Sequence, residues 1–253
     1  MSKVKALFYR SLFWCFDFCV QCVLRSRKIW NIRGGPFQGM CWGSVANCSV
    51  LTPKLLGTYE SELHVWLGQL PVFDLVIDIG AAEGWYAVGF LHRRLAQKVV
   101  AFEMAEAGRK NLLANVRRNA VPPDRIEIRG ECTVAGLQTL LSSLPADPDF
   151  RLLIISDCEG FEGKLLDIQT LKLCPNAFFL IETHDYFVPG VRAGLAKALA
   201  MTHAVADLRP TRRRRQDISP NVPWLFRLPI ISRLLMSERR CPDIGWLVAT
   251  PKG

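Results

Sequence analysis

The chain has 253 residues, half of them apolar, and a formal net charge of +9. The length fits one domain with a lead-in, the apolar share is ample for a core, and no internal repeat or low-complexity tract is present. Nine cysteines are scattered along the chain, and Cys19 and Cys22 form a C-x-x-C pair with no second pair at zinc-ribbon spacing. That spacing argues against a zinc ribbon, and free thiols in a reducing, cytoplasmic setting are expected.

Residues 1–34 come first. They hold seven basic residues against Asp17, so most of the net charge sits here. The run SLFWCFDFCVQCVL is 14 residues long and is interrupted by Asp17. That is shorter than the ~20 residues that span a bilayer, and no small-residue cleavage site follows. An interfacial helix on an anionic membrane surface fits this composition, with Cys15, Cys19 and Cys22 as acylation candidates. A helix packed on its own domain, or on a second subunit, is the alternative. Residues 35–70 read as a helical lead-in, and residues 71–253 as the main domain.

Residues 73–92 (FDLVIDIGAAEGWYAVGFLH) are the most informative stretch. An apolar run ends in Asp78, then Gly80, Ala81, Ala82 and Gly84 make a small-residue turn, and a helix follows. In an α/β sheet such a turn opens a ligand crevice at the carboxyl end of the strand. Gly80 lets the chain leave the strand at dihedrals a side chain forbids, and Gly84 lets the helix pack closely on the strand or the ligand. Free N–H groups at the helix start favour a carboxylate or phosphate. A second strand over residues 98–102 ends in Glu103, 23 residues past Gly80. A carboxylate there can accept hydrogen bonds from both hydroxyls of a ribose.

The alternation then continues. A helix is predicted over 105–119, a strand over 125–129, a helix over 134–144, and strands over 151–156, 177–181 and 244–250. The runs RLLIIS and AFFLI are continuously apolar, as buried parallel strands are. This pattern predicts a doubly wound, mostly parallel α/β sheet.

Six segments, in order, resemble the FkbM-like group of class I S-adenosylmethionine-dependent methyltransferases. They are GPFQGM (35–40), KLLGTYESEL (54–63), VIDIGAAEGWYAVGF (76–90), SDCEGFE (156–162), IETHD (181–185) and the late ER…GW stretch (238–246). The resemblance implies a seven-stranded Rossmann-like sheet with the last strand antiparallel, and S-adenosylmethionine rather than NAD in the crevice. It implies cofactor contacts from Asp78, Gly80, Ala82 and Gly84, from Glu103 to the ribose, and from Glu131 and Cys132 near the adenine. Ala82 stands where many class I enzymes carry a third glycine, and Glu103 where relatives also carry aspartate.

The chemistry is expected at the ends of strands four and five. Asp157 and Glu159 share a face if the chain is extended there, as do Glu182 and His184. His184 is the candidate base for a hydroxyl acceptor, oriented by Asp157 or Glu182. Alternatively Asp157, Glu159 and Glu182 hold a divalent cation such as Mg²⁺ or Ca²⁺, which polarises the hydroxyl. A purely structural, hydrogen-bonded His184 is the third option. The D-C-E-G after strand four is not the N/D-P-P-Y/F of adenine-amine methylation, which favours oxygen.

The last special region is residues 209–240, with nine arginines against Asp217 and Glu238. Insertions before the last strand of such domains often shape the acceptor pocket. Arginines interleaved with Trp224 and Phe226 suit an anionic acceptor, a membrane surface or RNA. The leading expectation is O-methylation of a sugar or secondary-metabolite hydroxyl. Methylation of protein or RNA is second, although nucleic acid is disfavoured. A degenerate fold serving as a membrane-associated interaction module is third. The sequence leaves the oligomeric state open.

Overall fold

The computed structural model describes residues 31–43, 50–211, 213–238 and 243–252. The expected membrane helix, with Cys15, Cys19 and Cys22, lies outside the described residues, as do Arg212, Arg239 and Arg240.

The lead-in opens on a tight loop closed by a bridge between Asn31 and Cys41. Helix α1 (Leu51–Leu56) follows, then a 3₁₀ turn (Ser61–Leu63) that runs into α2 (His64–Leu67). Phe37, Met40, Trp42, Leu56 and Leu63 from this region are fully buried, so it is part of the core rather than an appendage.

Strands and helices then alternate: β1 (Phe73–Ile79), α3 (Trp85–His92), β2 (Ala96–Phe102), α4 (Glu106–Arg118), β3 (Ile126–Arg129), α5 (Val134–Ser142) and β4 (Leu152–Ser156). After them come α6 (Glu162–Leu165), α7 (Ile168–Lys172), β5 (Phe178–His184), α8 (Val191–Leu199), β6 (His203–Leu208), α9 (Pro229–Leu235) and β7 (Ile244–Pro251). The seven strands form one sheet in the order β3-β2-β1-β4-β5-β7-β6. The first five are mutually parallel, and β7 runs antiparallel between β5 and β6. This is the Rossmann-like architecture of class I methyltransferases, as expected from the sequence. The strand order reverses between β1 and β4, and the carboxyl ends of strands at such a reversal bound a ligand crevice.

Each face of the sheet has its own apolar layer. One joins the lead-in to α3 and α4 through Phe37, Trp42, Phe90 and Leu112. The other joins α5 and α8 through Leu137, Leu141, Leu195 and Leu199. β4 is buried along its whole length, which is why it reads as an unbroken apolar run. β6 was not located from sequence: it is an edge strand, and its residues Ala204, Ala206 and Asp207 are not buried. β5 also extends three residues past its apolar run, through Glu182 to His184. Neighbouring β7 supplies the pairing, with Glu182 opposite Trp246 and His184 opposite Ile244.

Candidate active site

The turn after β1 is fastened on several sides. The N–H groups of Gly80 and Ala81 both donate to the carbonyl of Phe102 on β2, and the N–H of Asp157 donates to the carbonyl of Ile79. Gly80 has φ +83°, and a Cβ there would lie 1.7 Å from the carbonyl oxygen of Asp157. Only glycine lets β4 come this close to the turn. Gly84 has φ +90°, and its bare Cα faces Leu112 and Val88 at 3.0 Å. Its role is therefore close packing against α4 and its own helix, rather than against the strand. Ala82 holds φ +46°, a left-handed conformation in which glycine would be at ease.

Glu103 ends up beside this turn. Its Oε2 accepts from the N–H of Ala82 at 2.8 Å, and its Oε1 from the N–H of Ala105 at 2.7 Å. Each oxygen keeps a further lone pair. Asp78 is buried and accepts from the N–H of Ala87 on α3 at 2.9 Å. Burial raises its pKa to about 7, the Ala87 hydrogen bond opposes the rise, and the Glu103 carboxylate adds to it. Glu131 is exposed and Cys132 half-buried in the loop between β3 and α5. Burial pushes the Cys132 thiol up to about 11, which disfavours the nucleophilic thiolate. Among the described residues neither makes a hydrogen bond to Asp78, Glu103 or the turn. The cysteines at 41, 132, 158 and 174 are all free thiols.

At the ends of β4 and β5 the structure gathers a dense set of ionisable groups. His184 is buried, and its Nδ1 lies 2.7 Å from Glu162 Oε1. Its Nε2 faces Glu182 Oε2 at 3.5 Å, Asp157 Oδ1 at 3.6 Å and Glu159 Oε2 at 3.7 Å. Burial pulls the imidazole pKa down, but hydrogen bonding to Glu162 and Glu182 and the Asp157 charge outweigh it, and the result is about 10. The surroundings of His184 thus favour the protonated ring, with four acidic side chains about it. Asp157 goes the other way: burial and the adjacent Glu182 carboxylate raise it well above the usual range, with the His184 charge opposing.

Asp157, Glu182 and His184 each offer one donor atom, all within 4.8 Å of one another, an arrangement that fits a metal ion. Glu159 does not sit on an extended strand as expected. Its φ is +54°, it is largely exposed, and its carboxylate reaches His184 from the rim. Glu162, the strongest partner of His184, was missed from sequence, although it lies within the SDCEGFE segment. Glu60 was missed as well. It is buried, hydrogen-bonds the Tyr86 hydroxyl, and its charge acts on Asp157. Around the cluster Phe161, Tyr186 and Phe187 are exposed, and the Phe187 ring centre is 6.1 Å from that of His184.

No protein-family model matches the sequence, and a comparison with curated proteins finds no match. Solved structures show a distant likeness. An O-methyltransferase from Bacillus cereus in complex with SAH superposes with a TM-score of 0.46 at 17% identity, over 71% of this chain and 74% of its own. Precorrin 8w decarboxylase of Methanobacterium thermoautotrophicum gives 0.46 at 14%, over 77% and 90%. Precorrin-6y C5,15-methyltransferase of Geobacter metallireducens gives 0.44 at 13%, over 76% and 85%. At such distances these likenesses carry nothing about the chemistry of the site.

Proposed function

We propose that this chain is an S-adenosylmethionine-dependent O-methyltransferase of the FkbM-like group, acting on a hydroxyl of a sugar or secondary metabolite. The observation that carries the reading is one of adjacency. A glycine turn closed by Glu103 and a cluster of carboxylates around His184 stand at the carboxyl ends of neighbouring strands, at the point where strand order reverses. When bound, the cofactor supplies an electrophilic methyl group on a sulfonium. Glu103 would hold the ribose hydroxyls on its remaining lone pairs, and Asp78 and the turn would line the rest of the crevice. Glu131 and Cys132, in the loop after β3, would wall the adenine side.

The acceptor hydroxyl must be aligned and must lose a proton. Alignment can contribute about 7–11 kcal/mol. The exposed Phe161, Tyr186 and Phe187 offer faces on which an acceptor can lie. An imidazolium cannot take a proton, so His184 is no base while it keeps its own proton, and once a cation has displaced that proton Nε2 would be a ligand and not a base. A divalent cation held by Asp157, Glu182 and His184, with Glu159 at the rim, would displace the His184 proton and polarise the hydroxyl. Two carboxylates and an imidazole suit Mn²⁺ or Zn²⁺ as well as Mg²⁺. Without a cation, the crowded Asp157–Glu182 pair is the proton acceptor.

Calorimetry tests both halves. S-adenosylmethionine should bind with micromolar affinity, and Glu103→Ala should weaken it at least tenfold, about 1.4 kcal/mol; no binding by well-folded protein would end the enzyme reading. Mn²⁺ titrated into the parent should release protons, seen as a heat that depends on the buffer, and Glu182→Gln should abolish this. An unchanged response in Glu182→Gln would remove the metal.

A further inference from the structure

Residues 209–243 connect the carboxyl end of β6 to the start of β7. β5 and β6 both run antiparallel to β7, so they run parallel to each other, and β7 begins at Ile244, opposite His184. The connection therefore rises from the sheet edge that carries the His184 cluster. It is firmly built: Ile218, Val222, Phe226, Leu235 and Met236 are buried in the main core.

Between its first 3₁₀ turn (Arg215–Asp217), α9 and the lead-in lies a cavity of about 860 Å³, a size suited to a small molecule. Ser61 and His64 form one wall, and Arg213, Arg214, Arg215 and Arg233 the others. Arg213 is already engaged, 2.6 Å from Glu62 and 2.5 Å from Glu238. Arg214, Arg215 and Arg233 are exposed to the cavity and have no ion pair among the described residues. The nearest acid, Asp217, is the other charged group on the wall, and its carboxylate accepts from the Arg214 main-chain N–H. Four arginines stand against Asp217, Glu62 and Glu238, a local excess of one positive charge, and three of the guanidinium groups are left without a carboxylate partner among the described residues. The guanidinium fork matches phosphate oxygens in pairs. Glu60 links cavity and cluster. Its main-chain N–H donates to Glu238, the partner of Arg213, while its side chain bonds Tyr86 and acts on Asp157.

We propose that this cavity binds a phosphate-bearing group of the methyl acceptor, a phosphate monoester or diphosphate ester, with Arg214, Arg215 and Arg233 as its ligands. This rests on the proposed function for the word acceptor, since the anion site itself does not need the cofactor.

The probe is inorganic pyrophosphate, titrated into the full chain at low salt. Micromolar binding is expected, weakened at least thirtyfold in the triple variant Arg214→Gln/Arg215→Gln/Arg233→Gln and about fivefold in Arg233→Gln alone. Arg117→Gln, exposed on α4, should change nothing. S-adenosylmethionine titrated into the same samples reports whether the variants fold. Absence of pyrophosphate binding by the parent, or equal binding by the triple variant, overturns the site. Sedimentation with phosphatidylcholine vesicles containing phosphatidylglycerol separates the two sources of phosphate. Vesicle binding lost in the triple variant, with no pyrophosphate binding, overturns the soluble acceptor and assigns the arginines to a lipid headgroup. Pyrophosphate binding without S-adenosylmethionine binding leaves the anion site standing and topples the enzyme reading instead.

Discussion

Asp78 shows what a single buried carboxylate costs. Only 2% of its surface is exposed, one main-chain N–H contacts it, and its pKa rises to about 7 from an ordinary 3.8. Between those two values the folded protein keeps a proton that the unfolded chain has lost. The penalty is therefore absent below pH 4, grows as pH rises, and is complete above pH 7. Three pKa units correspond to about 4 kcal/mol as an upper bound. Asp78→Asn retains an oxygen for the Ala87 N–H and removes the charge. The variant should melt higher than the parent at pH 8, with a smaller decline in melting temperature from pH 5 to pH 8. Parallel melting profiles would mean that burial does not tax this carboxylate. A residue retained at such a cost suits a cationic ligand, so the same variant should lose affinity for S-adenosylmethionine.

At the scale of elements, the lead-in braces the Gly80 turn. Lys54 of α1 lies 2.6 Å from Glu83, and both side chains are buried. The Lys54 ammonium also stands over the rings of Tyr59, Trp42 and Trp85, at 4.8, 5.4 and 5.6 Å. The Glu83 carbonyl accepts from Asn115 of α4, so the turn is held from both neighbouring helices. Lys54→Met would strand a buried carboxylate and should cost roughly 3–5 kcal/mol. The double variant Lys54→Met/Glu83→Gln should regain most of it in chemical denaturation; no recovery would mean that the aromatic cage, not the charge pair, matters. None of this was legible in the sequence. β1, β4 and β5 were legible because strands buried on both faces carry apolar runs, residues 75–77 in β1, 152–155 in β4 and 178–181 in β5, and the Gly80 turn because its backbone tolerates no side chain. The pairing of residues 54 and 83, and the 22-residue gap from Glu162 to His184, depend on tertiary approach that local pattern does not encode. Glu159 was misplaced for the opposite reason: a local rule, alternation along an extended strand, was applied three residues beyond Ser156, where the strand stops.

Across the whole molecule, the lead-in and the β6–β7 connection meet over one edge of the sheet, and Arg213 is the joint. Its guanidinium bridges Glu62 from the lead-in and Glu238 from just before β7, with all three side chains at least nine-tenths buried. Burial alone would lower the arginine pKa, but the two carboxylates raise it, so the charge stays. Arg213→Ala would leave two carboxylates facing each other in the interior, at a cost of roughly 3–5 kcal/mol. That cost has a local escape, because the connection can detach while the parallel strands stay paired and the Gly80 turn stays bonded to the Phe102 carbonyl. The expected result is rapid protease cleavage within residues 209–238, with S-adenosylmethionine affinity within threefold of the parent. Adding Glu62→Gln and Glu238→Gln to Arg213→Ala should restore much of the protease resistance, because the repulsion is removed even though the bridge is not. Equal resistance of parent and Arg213→Ala would show that the apolar contacts of Ile218, Phe226 and Met236 hold the connection without it. Loss of cofactor binding together with the connection would show that the two halves of the site do not melt separately.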